Sequence, residues 1–307
     1  MPEPATPLVS VVVPTRDRPE LLRVAVARIL EQTYPGEIEC LVVYDQCEAP
    51  ELEAEVPAGR SLRILPNGRS SGLAGARNTG VLASRGELVA FCDDDDEWLP
   101  QKLELEAAAL LADPAAAVAV CGAFVCYKGR ETPRVPERPL LTLQDLLRTR
   151  QVMADPSTIL VVRERFVDEI GLVDEEIPGS YAEDYEWLLR AAGVAPIVAV
   201  QEPLVLKRWH STSFFQSRWD VMIDALRYLL EKHPEIASEP RGLARIYGRL
   251  AFASAAAGRG PESRAWARRC LAENWREPRA YIALLVSVGL LRPSAILHVA
   301  HLTGRGV

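Results

Sequence analysis

Four consecutive aspartates, Asp93 to Asp96, directly follow the apolar run Leu88 to Cys92. Carboxylates packed this closely repel one another unless a cation or strong hydrogen bonds offset the repulsion. Ligands made only of oxygen suit hard divalent ions, magnesium or manganese. The plainer reading is an acidic turn that charges the start of the next helix, where aspartates are favoured. A second acidic pair, Glu183 and Asp184, precedes the amphipathic stretch YEWLLRAA. A carboxylate within hydrogen-bond reach of a hydroxyl can take its proton, or it can do no more than stabilise a helix dipole. Arg77 lies in SGLAGARNTG. Its fork of donors matches phosphate oxygens, and the neighbouring Gly72 and Gly75 would let the backbone come close. Read for packing alone, the same stretch is a helix start rich in small residues, and its glycines do not fit G-x-G-x-x-G.

Such groups act together only if strand ends bring them together. VSVVV (residues 9–13) is a continuous β-branched run of the kind buried on both faces of a parallel sheet. Asp17, three residues before Glu20 and with Pro19 between them, predicts a capped helix whose Leu22, Val26, Ile29 and Leu30 share a face. CLVV (40–43), LRIL (62–65), LVAFC (88–92), VAVCGAFV (118–125) and STILVV (157–162) read as strands, Ala74 to Ser84 and Pro100 to Ala112 as helices. This alternation predicts an α/β fold with a helix-covered, largely parallel sheet, whose ligands gather at the carboxyl ends of the strands. Lys128 to Leu140, with three prolines among several charges, reads as a loop or an excursion over the surface. Beyond Phe215 the strand signals fade, and Trp219 to Lys232, Leu243 to Ala257, Pro261 to Ala272 and Pro278 to Val288 read as helices. Residues 1–215 are therefore expected to form the α/β domain and 216–307 a helical appendage. One hairpin there is similar to a tetratricopeptide unit, but a single unit makes no repeat.

Composition narrows the partners. With 307 residues, 49% hydrophobic and 25% charged, and a net charge of −7, the chain has the balance of an ordinary globular protein and no electrostatic footprint for wrapping nucleic acid. Its six cysteines contain no C-x-x-C pair, so reduced, mostly buried thiols are expected. MPEPATPLVSVVVP lacks the basic and apolar regions of a secretory signal, which favours a cytoplasmic location. Tyr281 to Leu291 is far shorter than the roughly 20 residues that span a bilayer. Arg264, Arg268 and Arg269, and the apolar segments Ile282 to Val288 and Ile296 to Leu302, fit a solvated or packed helical region; a peripheral contact with the inner face of a membrane is the alternative.

In order, V-S-V-V-V-P-T-R-D-R-P, C-L-V-V-Y-D, G-L-A-G-A-R-N-T-G, G-E-L-V-A-F-C-D-D-D-D-E-W-L-P-Q-K-L and A-E-D-Y-E-W-L-L-R, the chain resembles the family-two glycosyltransferases of GT-A fold over about residues 8 to 212. The resemblance implies a Rossmann-like, mostly parallel sheet flanked by helices. It also implies inverting transfer of a sugar from a nucleotide diphosphate donor, a uridine diphosphate sugar being favoured, with manganese or magnesium as cofactor. The acceptor would be a hydroxyl of a glycan, a lipid-linked molecule or a small molecule. Pro14, Thr15 and Arg16 would hold the nucleotide, and Asp45 would accept a hydrogen bond from the base. Tyr44 replaces the first of the family's usual two acids there and is read as a buried tyrosine. Arg77 and Asn78 fall in the family's A-R-N block, both counted with the donor-binding residues, and Arg77 would lie near the diphosphate. Asp93 and Asp95 correspond to the D-x-D pair and Asp96 to the following acid, with Asp95 the direct metal ligand, Asp93 at ribose or a metal-bound water, and Asp94 toward solvent. Asp184, beside Glu183, would be the base. His210 in KRWHSTS falls near the diphosphate, with Arg208 and Trp209 as candidate contacts; Trp98 and Trp187 could stack on sugar, although large aromatics flanking helices are more often core.

Two other readings compete. A nucleotidyltransferase would also need acidic metal ligands, but no basic Gly-rich triphosphate loop follows the first strand. A non-catalytic nucleotide-sugar-binding or scaffolding protein would have no use for the Glu183-Asp184 pair.

Overall fold

The computed structural model describes residues 6–47, 52, 54–149, 155–208 and 218–302. Ten strands form one sheet: β1 (Val9–Thr15), β2 (Ile38–Tyr44), β3 (Arg60–Pro66), β4 (Leu88–Phe91), β5 (Asp96–Trp98), β6 (Val118–Tyr127), β7 (Arg130–Arg134), β8 (Leu140–Leu141), β9 (Ile159–Val162) and β10 (Ile197–Arg208). Helices α1 (Pro19–Leu30), α2 (Leu73–Ala83), α3 (Lys102–Ala112), α4 (Leu143–Arg148) and α5 (Glu183–Val194) accompany it. Then α6 (Trp219–Lys232), α7 (Pro240–Ala256), α8 (Gly260–Glu273), α9 (Pro278–Ser287) and α10 (Pro293–Leu302) follow one another.

The strand order is β3-β2-β1-β4-β9-β6-β10-β5. The half from β3 to β4 is parallel, as helix-linked strands require. β9 enters antiparallel between β4 and β6, and β10 runs parallel to β6. After β3 the chain crosses to the far side of β1 to place β4, so the carboxyl ends of β1 and β4 flank a topological switch point, where α/β sheets bind ligands.

Side chains alternate across the strands and build two cores. Val12, Leu41, Val43, Val89 and Phe91 belong to one apolar cluster, and Val11, Val13, Cys40, Val42 and Ala90 to the other. A strand buried on both faces has no polar side to show, which is why these runs are continuous. Ile223 and Leu226 of α6 and Ile246 and Leu250 of α7 join the first cluster. Ala251 and Phe252 of α7 meet Ala267 and Cys270 of α8 and Ala280 and Ala283 of α9 in a third. The small residues let these helix backbones approach closely. All six cysteines are free thiols, and Cys40, Cys92, Cys121 and Cys270 are buried. Among the described residues no helix is long and apolar enough to cross a membrane.

Two local expectations are corrected, and one strand lies where no element was read. Asp17 does not cap α1: it has a φ of 54°, and Arg18 occupies the cap position without a side-chain capping bond, so the helix starts directly on Pro19. Lys128 to Leu140 is not all loop, because Lys128 (φ 49°) and Gly129 (φ 78°) make a two-residue turn that folds β7 back on β6. β10, broken in pattern by Gln201-Glu202-Pro203, continues through register shifts at that point and pairs with β5 at its far end.

Candidate active site

The acidic run leaves β4 at the switch point and is tied on three sides. On the first side, the Thr15 hydroxyl at the end of β1 donates to Asp94 (2.7 Å), and Arg18 donates to Asp94 (3.1 Å) and Asp95 (2.9 Å). On the second, the Arg77 guanidinium of α2 donates to Asp93 (2.8 Å) and to Glu183 at the start of α5. On the third, β5 pairs antiparallel with β10 so that Lys207 lies opposite Asp96, and its ammonium reaches Asp96 and Asp155 (3.0 Å). Ser157 locks this corner. Its hydroxyl donates to Asp96 and accepts from the Asp93 N–H (3.0 Å), while its carbonyl accepts from the Trp98 indole (3.0 Å).

Seven carboxylates (Asp93 to Asp96, Asp155, Glu183 and Asp184) thus gather round three cations, Arg18, Arg77 and Lys207. Burial pushes the Asp94 carboxyl up to about 6 against the pull of Thr15 and Arg18, and that of Asp96 up to about 7 against Lys207. Burial likewise raises Glu183 to about 7 despite Arg77. For Asp93 burial also acts upward, but Arg77, Lys207 and Arg18 outweigh it and hold the group below the ordinary carboxylate value. Burial works against the Lys207 charge, yet Asp155, Asp96 and Asp93 keep its pKa well above that of free lysine.

The donor set fits a hard divalent ion through only part of the run. The side chains of Asp93 and Asp95 are 26% and 27% exposed, whereas Asp94, expected toward solvent, is buried on Thr15 and Arg18, and Asp96 is buried in its own bonds. Asp96, expected among the ligands, turns to Lys207 and Ser157 instead. No cluster of three candidate ligand side chains exists among the described residues. Two accessible carboxylates, with phosphate oxygens and water completing the shell, is a usual arrangement for magnesium at a nucleotide.

Glu183 and Asp184 open α5 after an unusual approach: Gly179, Ser180 and Ala182 have φ values of 62°, 53° and 66°. Left-handed conformations at Ser and Ala cost free energy and persist where surrounding contacts hold them, often at functional sites. Asp184, half-buried, accepts from the Tyr185 N–H (2.8 Å). A cavity beside this pair is lined by Arg77, Phe91, Phe166, Glu183, Asp184 and Trp187, among others.

Not every expected residue meets the acidic run. Asp45 stands at the end of β2 with its carboxylate accepting from Asn67 (2.8 Å), Gln46 (2.8 Å) and the Gly72 N–H (3.0 Å), so it shapes the loop before α2. Tyr44 is buried beside it in the second core. Asn78 faces away from the acids: its amide bonds the Val173 backbone and Glu175. Pro14 is buried and Arg16 is exposed at the end of β1. Arg208 pairs with Glu97. Trp98 is core, with the Lys102 ammonium 4.0 Å from its ring centre, and Trp187 stacks on Phe166. His210 and Trp209 lie outside the described residues. Arg18, Asp155, Ser157 and Lys207 were not singled out from sequence; only the cationic character of Arg18 and Lys207, in segments already noted, signals them.

Residues 10–171 match the sequence pattern of the family described as Glycosyl transferase family 2. A curated Escherichia coli relative, the UDP-Glc:alpha-D-GlcNAc-diphosphoundecaprenol beta-1,3-glucosyltransferase WfgD, is 28% identical over 104 residues, which cover 34% of this chain and 41% of that one. The chain spans less than two thirds of the length of the curated relatives it matches. Among solved structures, S. aureus TarS in complex with UDP-GlcNAc superposes with a TM-score of 0.62 at 17% identity, covering 97% of this chain and 92% of that one. The Pyrobaculum calidifontis mannosyltransferase PcManGT, in complex with GDP-Man and Mn2+, gives 0.53 at 20% identity, covering 95% and 87%. At those identities the likeness is one of fold.

Proposed function

We propose, from the premise that the chain belongs to glycosyl transferase family 2, that it transfers a sugar from a nucleotide diphosphate donor to an acceptor hydroxyl with inversion at the anomeric carbon. The observation that carries this reading is the pair of salt bridges made by Arg77. One buried guanidinium joins Asp93, in the acidic run, to Glu183, next to Asp184. Donor-side and acceptor-side acids are thereby held at a fixed spacing, and fixed geometry is what a bimolecular displacement needs most.

In this reading Asp184 takes the proton of the acceptor hydroxyl as its oxygen bonds to the anomeric carbon and the bond to the diphosphate oxygen breaks. Glu183 is committed to Arg77 and orients its neighbour. Asp95 and Asp93 would hold a manganese or magnesium ion, which supplies neutralisation of the charge on the leaving diphosphate. Arg18, already on Asp95, is placed to turn to a phosphate. The donor side belongs to residues 1–215, and residues 216–307 brace it through α6 and α7. Asp45 and the loop it shapes take the base; uridine is favoured because S. aureus TarS is seen with UDP-GlcNAc, while the GDP-Man of PcManGT keeps guanosine as the competitor. For the acceptor, the diphosphoundecaprenol in the description of WfgD favours a hydroxyl on a lipid-linked glycan.

Incubation with uridine diphosphate sugars and manganese should release uridine diphosphate slowly in the absence of acceptor. Asp184→Asn should retain donor binding and lose transfer by about a hundredfold or more. Metal-dependent nucleotide binding with no turnover on any sugar would instead favour a nucleotide-sugar-binding protein.

A further inference from the structure

Charge is distributed very unevenly along this chain. Residues 240–307 carry 11 arginines, no lysine and three carboxylates, a formal +8, whereas the whole chain is −7 and its first 239 residues therefore −15. Some of these arginines are used inside the protein. Arg249 bonds the Tyr181 hydroxyl, and Arg259 and Arg279 pair with neighbouring acids. Arg264, Arg268, Arg269, Arg276 and Arg292 form no ion pair among the described residues.

Beside this charge lies an apolar surface that the fold leaves outward. α9 buries Ala280, Ala283 and Val286 against α7 and α8. Its other side presents Tyr281 and Leu285, one helical turn apart, and Val288 at its end, all exposed. Trp275 is 65% exposed and is held next to Tyr281, whose hydroxyl donates to the Trp275 carbonyl (2.7 Å). Leu290, 71% exposed, is not a loose end. Gly289 (φ 78°) turns the chain, and the Leu290 N–H bonds the Leu285 carbonyl (3.0 Å), the closed form of a helix terminus. Arg276 lies with its guanidinium 4.8 Å from the Trp275 ring centre, and Arg292 follows the stripe at its other end.

We infer that α9 and the turns flanking it dock on an anionic phospholipid surface. Aliphatic side chains beside an indole and a phenol, edged by arginines, match the boundary between acyl chains and headgroups. There Trp and Tyr settle with one end apolar and the other wet, and basic side chains meet phosphate. The basic region supplies the longer-range attraction to the negative surface. A nucleic acid would satisfy the arginines but gain nothing from Leu285, Val288 and Leu290. The inference does not depend on the transfer chemistry.

Flotation of the full chain with phosphatidylglycerol–phosphatidylcholine vesicles should show binding that is lost on phosphatidylcholine alone and weakened by salt. Arg276→Glu with Arg292→Glu should reduce binding on the order of tenfold or more, and Val288→Glu with Leu290→Glu should reduce it comparably. All four positions are exposed, so both variants should melt as the wild type does. Brominated acyl chains should quench the fluorescence lost in Trp275→Phe. Equal binding to both vesicle types, or binding to the anionic vesicles unaffected by either variant, would overturn the proposal. So would self-association or RNA binding abolished by the same changes without vesicle binding.

Discussion

Arg77 and Glu183, 106 residues apart in sequence, form a buried ion pair in which the same guanidinium also holds Asp93. Arg77→Ala would leave Glu183 buried with its cation gone, and removing one partner of a buried pair costs about 3–5 kcal/mol. Denaturant titration should show that loss. Arg77→Lys restores charge but not the fork, so stability should recover in part while sugar transfer stays impaired; full recovery of both would contradict the bridging role.

Arg18 guards the accessible end of the acidic run. It is 41% exposed, and the bond it makes to Asp95 competes with a cation for the same carboxylate. Partly exposed pairs are worth up to about 1 kcal/mol, so Arg18→Ala should tighten manganese binding roughly two- to fivefold in the absence of nucleotide. Electron paramagnetic resonance of free manganese would read this directly. An unchanged affinity would mean that Arg18 and the ion do not share Asp95.

Ser157 joins the backbone of Asp93 to the side chain of Asp96 and caps the Trp98 indole. Ser157→Ala leaves the half-buried Asp93 N–H without its acceptor and removes a donor from the buried Asp96 carboxylate, which should cost about 1–3 kcal/mol. Urea unfolding should show that cost together with weaker donor binding. A loss of stability with donor binding unaltered would reduce Ser157 to a packing residue.

Much of the donor half was legible in sequence because strands buried on both faces leave unbroken apolar runs: Val9 to Val13 and Leu88 to Cys92 mark their own ends, and the acids stand at one of them. The partners of those acids were not legible. Lys207 reaches Asp96 only because β10 pairs with β5 in one register, and that pairing crosses 111 residues. β10 itself was hidden by Gln201-Glu202-Pro203, which the strand absorbs as an irregularity. Asn78 shares the short block with Arg77 yet points to Val173 and Glu175, since successive helix residues face different directions.

Acid should loosen the seam between α5 and α6. Glu186, buried, accepts from Arg190 (2.8 Å), Lys232 (3.0 Å) and His233 (3.1 Å). Burial alone would raise its pKa, but His233, Arg190 and Lys232 together bring it from 4.5 down to about 2. A depressed carboxylate stabilises the fold above its ordinary pKa, and that contribution disappears as pH falls from 4.5 toward about 2. Melting temperatures across this window should fall more steeply for the wild type than for Glu186→Gln, which should start lower and vary less. Parallel curves would place the acid sensitivity elsewhere.

Calorimetric titration of uridine diphosphate, with and without manganese, against the wild type and Asp95→Ala tests the account at its centre. Binding should tighten at least about tenfold with manganese in the wild type and lose that gain in the variant. Equal affinity in all four titrations would contradict a cation bridging Asp95 to the diphosphate.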